Sequence, residues 1–489
     1  MGKMRETADG DLFFRLGSVF AECKKEYEAL RDAPVSDFTF SVTDDFTFSA
    51  AADAESQSAE KHDWTDRTEN LLLRGDNLEV MRWLLSHRKM GGSLRLIYID
   101  PPFCSGADYQ AALSMGEKTK TRVRQKAYAD TWNEGLEEYL RMLTLRLFFM
   151  KDLLAEDGVI WVHLDWHAAH YVKLIMDTLF GQEHFINEVI WHYKSGGASP
   201  RYFARKHDTL LFYAKGENYY FAPQKEKSYN RGYKPYRFQG VEEYEDELGW
   251  YTMVNRRDVW QLDMVGRTSS ERTGYATQKP EALLDIILES CTREGDLCAD
   301  FFSGSGTLAV TAGKRNRRFV CCDASKLAVS ATTGRLAGAG IPFLRGELLR
   351  DQIRAARTTR IGSRRIRMEA EKHFSEIHLV LKRCGLPGKE ADLSPARRTE
   401  LKKLVQKEPL SLVRFWAVDP EFDGRVFRPR YLFCRDKTAG LAAECVFPLP
   451  AQSAGKEFRD KHEQPACPVA VKVCDVFGEE IMLVLDSFL

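Results

Sequence analysis

The sequence predicts an α/β protein with a doubly wound, mostly parallel sheet and a smaller C-terminal α+β domain. Strand-like apolar runs alternate with helix-like segments between about residues 70 and 335, which is typical of a parallel sheet with helices on both faces. The last part of the chain returns to short alternating strands. A length of 489 residues is too great for one ordinary core, so an accessory domain is expected.

Apolar periodicity places the predicted elements along the chain. The predicted strands are Asn70–Arg74, Leu94–Ile99, Val159–Leu164, Glu188–His192, Thr209–Tyr213, Leu297–Phe301 and Arg318–Cys322. The predicted helices are Leu78–Ser86, Glu137–Leu154, His170–Phe180, one opening at Pro280, and Thr307–Lys314. The two runs around residues 190 and 211 are expected to pair as an antiparallel edge of the sheet.

Composition shifts predict the domain boundaries. Residues 1–66 are expected to be a mobile or helical lead-in, with the fold proper beginning near Asn70, and residues 67–345 the main domain. An insert at about 195–276 loses clear periodicity from about Lys215. Residues 346–374 are expected to form a basic helical linker, and residues 375–489 an accessory domain ending in the strands Val469–Cys474 and Ile481–Leu485.

Charge and cysteine usage narrow the classes of function. Lys+Arg and Asp+Glu balance at 71 each, so a polyanion would have to be held by a local basic patch. The eleven cysteines lack zinc-ligand spacing, and His163, His167 and His170 are interpreted as structural, so no metal is expected. With no signal-peptide pattern and no bilayer-spanning run, a cytoplasmic protein without membrane contact is expected.

The first informative turn is glycine-rich and runs from Asp300 to Thr307, between a strand and a helix. Gly304 and Gly306 permit close backbone approach of a ligand to the strand end. The spacing is neither that of a dinucleotide fingerprint nor that of a phosphate loop, which favours a phosphate-free adenosyl ligand. Asp323 follows the next strand, where an acidic side chain can accept hydrogen bonds from ribose hydroxyls.

The second turn, Asp100-Pro101-Pro102-Phe103, directly follows a strand. Two prolines stiffen the backbone and hold the Asp100 carboxylate, the Pro101 carbonyl and the Phe103 ring at the sheet edge. The carboxylate and the carbonyl could accept the two N–H groups of an exocyclic base amine, and the ring could stack on a base flipped out of a duplex. The turn therefore predicts chemistry on a base amine.

Along the chain, the order Asp100–Phe103, Thr277–Glu281, Asp300–Thr307 resembles the β group of amino-methyltransferases, which includes modification subunits of type III restriction systems. The resemblance spans about Asn70 to Arg335. It implies a circularly permuted, seven-stranded methyltransferase sheet, S-adenosylmethionine as cofactor, and site-specific transfer to adenine N6 in double-stranded DNA, within a restriction-modification or related defence system. In the implied sheet, the strand before the glycine-rich turn lies beside the strand before Asp100, and both turns open onto one crevice.

The resemblance also assigns site residues. Asp100, Pro101, Pro102 and Phe103 would bind and activate the base, and Asp323 and Asp76 would approach the cofactor ribose and adenine. The methionine side would be lined by Asp300, Phe302, Gly304, Ser305, Gly306 and Thr307, helped by Lys279. Phe103 replaces the commoner tyrosine, and Phe301 stands where proline is usual.

Two basic segments are candidates for DNA contact. A phosphate clamp, or equally a solvated loop, is predicted at Lys118, Lys120, Arg122, Arg124 and Lys126. The insert at about 195–276 mixes bases with aromatics, including Arg201, Arg205 and Lys206, and the resemblance places target recognition there.

Several alternatives stay open at this point. Cytosine N4 offers a similar amine, although an initial serine in place of Asp100 is the commoner cytosine sign. An RNA substrate, a non-catalytic specificity subunit and an oxidoreductase are further alternatives, the last disfavoured by the missing dinucleotide fingerprint. A nuclease subunit and a second copy of the chain as partners are also left open.

Overall fold

A computed structural model describes the main segments of the chain. The described residues are 12–35, 38–46, 69–115, 121–132, 135–194, 199–266, 269–275, 277–350, 365–373, 376–387, 393–435, 440–448 and 468–485. The helices are α1 (Leu12–Asp32), α2 (Asn77–Ser86), α3 (Leu136–Leu153), α4 (Ala169–Phe180), α5 (Glu281–Cys291), α6 (Thr307–Lys314), α7 (Lys326–Gly338) and α8 (Pro395–Lys407).

The strands fall into one large sheet and four small ones. The strands of the first half are β1 (Phe38–Asp45), β2 (Leu71–Arg74), β3 (Leu94–Ile99), β4 (Asp108–Met115), β5 (Thr121–Ala129), β6 (Leu154–Leu164), β7 (Phe185–His192), β8 (His207–Ala214), β9 (Lys225–Tyr229), β10 (Tyr244–Asp246), β11 (Gly249–Asn255) and β12 (Val259–Gln261). Those of the second half are β13 (Leu297–Asp300), β14 (Arg318–Asp323), β15 (Leu344–Arg350), β16 (Ile366–His373), β17 (Glu376–Cys384), β18 (Val413–Asp419), β19 (Tyr431–Cys434), β20 (Glu444–Pro448), β21 (Val469–Asp475) and β22 (Glu480–Leu485).

The large sheet has the order β1-β15-β2-β14-β13-β3-β6-β8-β7-β12. Strands β15 to β6 are parallel, β8 is antiparallel to β6 and β7, and β1 is antiparallel to β15. The strands that the sequence predicted are consecutive neighbours in this sheet. Their number is extended from seven to ten by β1, β15 and β12, so the predicted antiparallel pair β7–β8 lies one strand inside the edge.

Helices cover both faces of this sheet, which confirms the α/β prediction. Along β3, Ile97 and Ile99 join a core with α1–α4, whereas Leu96 and Tyr98 join a core with α5–α7. The alternation follows from the period of two along a strand. Because both faces are buried, the strand is apolar at every position except Arg95.

The fold begins earlier in the chain than the sequence suggested. Helix α1 packs on α3, with the Tyr27 and Phe148 rings stacked at 4.9 Å between centroids and the Tyr27 hydroxyl donating to Asp152 at 2.7 Å. Strand β1 pairs with β15, which is distant in sequence. The prediction that the fold proper begins near Asn70 is therefore wrong. Residues 1–11, 36–37 and 47–68 lie outside the described part of the chain.

The insert also contains more regular structure than its composition indicated. Strands β9, β10 and β11 form a separate antiparallel sheet, and β12 adds to the large sheet beside β7. Exposed aromatic residues on this small sheet and its loops, among them Tyr233, Phe238 and Tyr244, explain why no buried-face periodicity was visible.

The described elements of the C-terminal region, which the sequence predicts to be an accessory domain, are α8, the sheet β16-β17-β20 and the sheet β19-β18-β21-β22. The predicted terminal strands correspond to β21 and β22. The prediction of a helical linker at 346–374 is wrong at its two ends, where the structure has strands β15 and β16. The middle of the predicted linker, residues 351–364, lies outside the described part of the chain, and so do Arg354, Arg357, Arg360 and Arg364. Arg365 is held by Asp475 and Glu479 within the accessory domain.

The hairpin β4–β5 leaves the large sheet just after the Asp100 turn and rests on the accessory domain. Its inward residues Leu113 and Val123 share a hydrophobic cluster with Leu379 of β17 and Leu404 of α8. None of the described helices is long and apolar enough to span a membrane. Within the described ranges, no group of three or more His, Cys, Asp or Glu side chains could hold a metal ion.

Candidate active site

Both informative turns open onto one crevice. Strands β13 and β3 are parallel neighbours, so Asp300 and Asp100 follow at the same edge of the sheet. A cavity of about 210 Å³ lies between the turns, so side chains do not plug the crevice. It is lined by Asp76, Asn77, Tyr98, Asp100, Pro102, Tyr275, Thr277, Gln278, Lys279, Asp300, Phe301, Phe302, Ser303, Gly304, Ser305, Thr307, Leu308, Asp323 and Ala324.

The glycine-rich turn uses left-handed backbone geometry that requires glycine. Gly304 has φ of 50° and Gly306 has φ of 73°. A Cβ atom on Gly306 would lie 2.3 Å from the Thr332 side chain. Gly306 itself does not line the cavity; it fixes the bend that brings Gly304 and Ser305 to its wall.

Two carboxylates, those of Asp300 and Asp323, stabilise this turn by accepting hydrogen bonds from its backbone N–H groups. Asp300 accepts the backbone N–H of Phe302 at 2.9 Å, and burial raises the pKa of its carboxyl well above the usual range. Asp323 accepts the backbone N–H groups of Gly304 and Ser325, each at 2.8 Å. Desolvation raises the pKa of Asp323 to about 6, against these hydrogen bonds, which lower it.

In the acid-proline turn, the two oxygens of the Asp100 carboxylate differ: within the described part of the chain, one is paired and the other is not. Asp100 Oδ2 forms an ion pair with Lys279 Nζ, whereas Asp100 Oδ1 is buried and has no hydrogen-bond partner among the described residues. The Lys279 ammonium also lies over the Phe103 ring, 5.0 Å from its centroid. An unsatisfied buried carboxylate oxygen is costly, which marks this atom as prepared for a donor.

Asp130, which the sequence did not single out, holds the backbone after Phe103. Its carboxylate accepts the N–H groups of Phe103, Cys104 and Ser105 at 3.2, 2.9 and 2.8 Å. The Trp132 indole also donates to it, at 3.1 Å. These bonds stabilise the left-handed conformation of Cys104, whose φ is 60°. No sequence pattern indicated this role, because the partners lie more than 20 residues earlier in the chain.

A buried polar chain supports the Phe103 ring. His163 Nδ1 lies 2.8 Å from the Tyr98 hydroxyl, and Nε2 lies 3.1 Å from Asp208 Oδ2. The His163 ring stacks beside Phe103 with centroids 6.0 Å apart and an interplanar angle of 24°. This geometry agrees with a structural role for His163. His167 bonds instead to Asp165, at 2.7 Å.

Most of the predicted cofactor residues line the cavity. Asp76 caps α2 by accepting the Leu78 N–H at 2.9 Å, and its carboxylate lies 3.3 Å from Arg146. Thr307 Oγ donates to the Lys279 carbonyl at 3.1 Å, which joins the two turns. Pro101, Phe103 and Gly306 adjoin the cavity without lining it, and Tyr98, Tyr275 and Ser303 are wall residues that the sequence did not single out.

The basic segments are only partly described. Lys118 and Lys120 lie outside the described residues, and the described strands before and after them, β4 and β5, pair with each other. Arg122, Arg124 and Lys126 are exposed on one face of β5, because alternate residues of a strand share a face. Arg205 lies over the rings of Trp166 and Tyr202 at 3.9 and 4.7 Å, Arg201 is exposed, and Lys206 donates to the Lys194 carbonyl.

Comparison with known proteins gives one family and several relatives. A family model described as DNA methylase matches residues 94–333. The chain is 25% identical to the type II methyltransferase M.EcaI of Enterobacter cloacae over 50% of this chain and 65% of that protein. It is 24% identical to the EcoP15I Mod subunit of the Escherichia coli type III restriction-modification enzyme, over 43% of this chain and 35% of the subunit.

The matches to these two relatives span less than two thirds of either protein's length. Among solved structures, the chain matches the M1.HpyAVI–SAM complex with a TM-score of 0.37 and 15% identity, covering 54% of this chain and 98% of that one.

Proposed function

We propose that this chain, whose residues 94–333 match a family model described as DNA methylase, transfers a methyl group from S-adenosylmethionine to the exocyclic amine of a flipped DNA base, adenine N6. The observation that carries this proposal is the shared crevice. The glycine-rich turn and Asp100 face one cavity, and the Asp100 Oδ1 atom in its wall has no hydrogen-bond partner in the part of the chain that the structure describes. A cofactor and a base amine could therefore meet there.

The cavity wall suits an adenosyl amino acid. Ser303 Oγ, like Asp100 Oδ1, is buried there without a hydrogen-bond partner from the described segments and could bond to a polar ligand. Asp323 would accept the ribose hydroxyls, and Asp76 would approach the adenine. The methionine part would lie along Asp300, Phe302, Gly304, Ser305 and Thr307, where the absence of a side chain at Gly304 permits close approach.

The chain's own residues would supply orientation rather than covalent catalysis. Asp100 and the Pro101 carbonyl would accept the two N–H groups of the amine and favour a pyramidal, more nucleophilic nitrogen. Phe103 would stack on the base, held by Asp130 from behind. The methyl group that S-adenosylmethionine supplies would bond to nitrogen as the sulfur–methyl bond breaks, leaving a thioether, and the nitrogen would lose one proton to solvent.

Cytosine N4 is the nearest competing acceptor. It presents a similar amine to a carboxylate and a carbonyl, and the matched family leaves both open. The acid at position 100 favours adenine, because the resemblance associates a serine there with cytosine enzymes. We therefore keep adenine as the primary acceptor.

The DNA would be held outside the crevice. Arg122, Arg124 and Lys126 form an exposed basic row on the hairpin that follows the Asp100 turn, which suits phosphate contacts. Target recognition would belong to the insert at about 195–276, with Arg201, Arg205 and Lys206. Similarity to the EcoP15I Mod subunit supports a role in restriction-modification, with a nuclease subunit as a partner.

We further infer that the sheet is circularly permuted. In the chain, β3 with the proposed catalytic turn precedes β13 with the proposed cofactor turn, although the two strands are neighbours. This order supports the permutation that the resemblance implies. Strands β1, β15 and β12 would then be additions to a seven-stranded core.

Expression in a host without DNA methylation tests the proposed activity. Single-molecule sequencing of the host DNA should show N6-methyladenine at one recurrent sequence. N4-methylcytosine at a recurrent sequence would transfer the assignment to the other amine. Unmodified DNA, with the protein folded and present, would contradict the proposal.

Replacing Phe103 with alanine should weaken capture of the flipped base. Loss of ring stacking is expected to reduce the binding free energy by roughly 1–3 kcal/mol. The measurement is the dissociation constant for an unmethylated duplex that contains the target sequence mapped by sequencing. A duplex with an abasic position at the target is the control, because its affinity should not change. Equal loss for both duplexes would show that Phe103 does not contact the base.

Cofactor binding should weaken below about pH 6. The folded-state pKa of Asp323 is about 6, so its carboxylate is charged above that pH and neutral below it. Both oxygens already accept backbone N–H groups, and protonation would remove acceptor capacity needed by the ribose. Calorimetry with S-adenosylhomocysteine should show about tenfold weaker binding at pH 5 than at pH 7.5. Asp323→Asn should remove this dependence; an identical decline in that variant would exclude Asp323.

A further inference from the structure

Lys279 occupies an unexpected position in the crevice. The sequence placed it beside the methionine part of the cofactor, but its ammonium is bonded to Asp100 Oδ2 and lies over the Phe103 ring. Its side chain is 7% exposed, so solvent does not compete strongly for this ion pair. One of the two oxygens of the Asp100 carboxylate is therefore already engaged.

The rest of the crevice is acidic. Among the described residues that line the cavity, Lys279 is the sole lysine or arginine, whereas four lining residues are aspartates: Asp76, Asp100, Asp300 and Asp323. The α-carboxylate of S-adenosylmethionine would enter this acidic surrounding and needs a cation nearby. Lys279 is the lining residue that can supply one.

The Lys279 ammonium would thus have two competing anionic partners, the Asp100 carboxylate and the carboxylate of the cofactor. Thr307 Oγ donates to the Lys279 carbonyl, which anchors the residue's backbone between the glycine-rich turn and Asp100. With the backbone fixed, a change of partner requires only rotation of a flexible four-carbon side chain. Movement toward a carboxylate would release Asp100 Oδ2 while Oδ1 stays open.

We propose that Lys279, by holding Oδ2, weakens Asp100 as an acceptor until the cofactor carboxylate draws the ammonium away, so that tight capture of the target amine depends on prior cofactor binding. Lys279 is a positioning residue in this scheme, acting through Asp100. The inference rests on the proposed function and adds to it an order of binding. Because binding linkage is reciprocal, a captured base would strengthen cofactor binding by the same factor.

Base capture can be followed with a duplex that carries 2-aminopurine next to the target adenine, at the site mapped by sequencing. S-adenosylhomocysteine has the carboxylate, whereas 5′-methylthioadenosine keeps the adenosine and thioether but lacks it. With the wild-type chain, S-adenosylhomocysteine should raise the affinity for the flipped state about tenfold, within the usual range of site coupling (~5–150-fold). Saturating 5′-methylthioadenosine should not.

Variants separate the ion pair from the fold. In Lys279→Met the base should be captured without any cofactor, and S-adenosylhomocysteine should add no fluorescence change. Lys279→Arg should retain the dependence, since the positive charge remains. Lys314→Met is the matched control, because Lys314 pairs with Glu281 on the surface, and it should behave as wild type.

Equal capture by the wild-type chain with either ligand, or with none, would overturn the inference without use of any variant. Continued dependence of Lys279→Met on S-adenosylhomocysteine would overturn it as well. These outcomes differ from failure of the proposed function, which would appear earlier as absence of methylated bases in the host DNA.

Discussion

Asp100→Asn should lower the rate of methyl transfer by roughly 10²–10³-fold, the loss typical when one aligned hydrogen-bonding group is removed from a transition state. The substitution keeps the side-chain volume but exchanges one carboxylate oxygen for an amide that donates rather than accepts. Asp100→Ala, which removes both acceptors, should abolish transfer. The measurement is single-turnover transfer of a labelled methyl group to the mapped site.

Cofactor binding should persist in the Asp100 variants and should not weaken, because the carboxylate is proposed to serve the amine and to compete with the cofactor for Lys279. Calorimetry with S-adenosylhomocysteine checks this separation. Asp285→Asn is the matched control, since Asp285 of α5 is paired with Arg315, which follows α6, outside the crevice. Wild-type turnover in Asp100→Ala would remove the proposed mechanism, and loss of cofactor binding alone would reassign Asp100 to the cofactor.

Gly306→Ala is the second change with a large expected effect. The new Cβ would lie 2.3 Å from the Thr332 side chain, at a residue with φ of 73°. The strained backbone alone costs about 1–3 kcal/mol, so thermal stability should fall and the bend carrying Gly304 should shift. We expect loss of measurable S-adenosylhomocysteine binding.

Two further variants distinguish the bend from general damage. Gly338→Ala in α7 is the control, because a Cβ there meets nothing within 4 Å and stability should not fall. Gly306→Ala combined with Thr332→Gly should recover part of the affinity, since the contacting side chain is removed. Normal cofactor binding in the single Gly306 variant would show that this bend does not form the cofactor site.

The features that could be predicted from the sequence are the strands with a regular apolar pattern and the motifs that directly follow them. Strand periodicity placed β3 and β13, and the motifs after them placed Asp100 and Gly304 at the same sheet edge. Interactions between distant segments could not be predicted in the same way. Lys279 and Asp100 are 179 residues apart, and no local pattern indicates that they pair. The pairing of β1 with β15 also could not be predicted, because about 300 residues separate the two strands in the sequence.

Helix α1 and the strands of the insert were not predicted because their buried positions do not form a clear periodic pattern in the sequence. Helix α1 buries only a narrow row, including Val19 and Cys23, beneath an otherwise charged surface. The short strands of the insert expose aromatic side chains, so they lack the alternation that marks a half-buried strand. Both features become interpretable only when the packing partners are known.

Nucleoside mass spectrometry tests the central claim most directly. Purified protein would be incubated with S-adenosylmethionine carrying a labelled methyl group and with unmethylated duplex DNA, which would then be digested to nucleosides. The shared crevice predicts labelled N6-methyldeoxyadenosine from the wild-type chain and none from Asp100→Ala. Absence of any labelled base amine with the wild-type chain, or equal label with the variant, would contradict it.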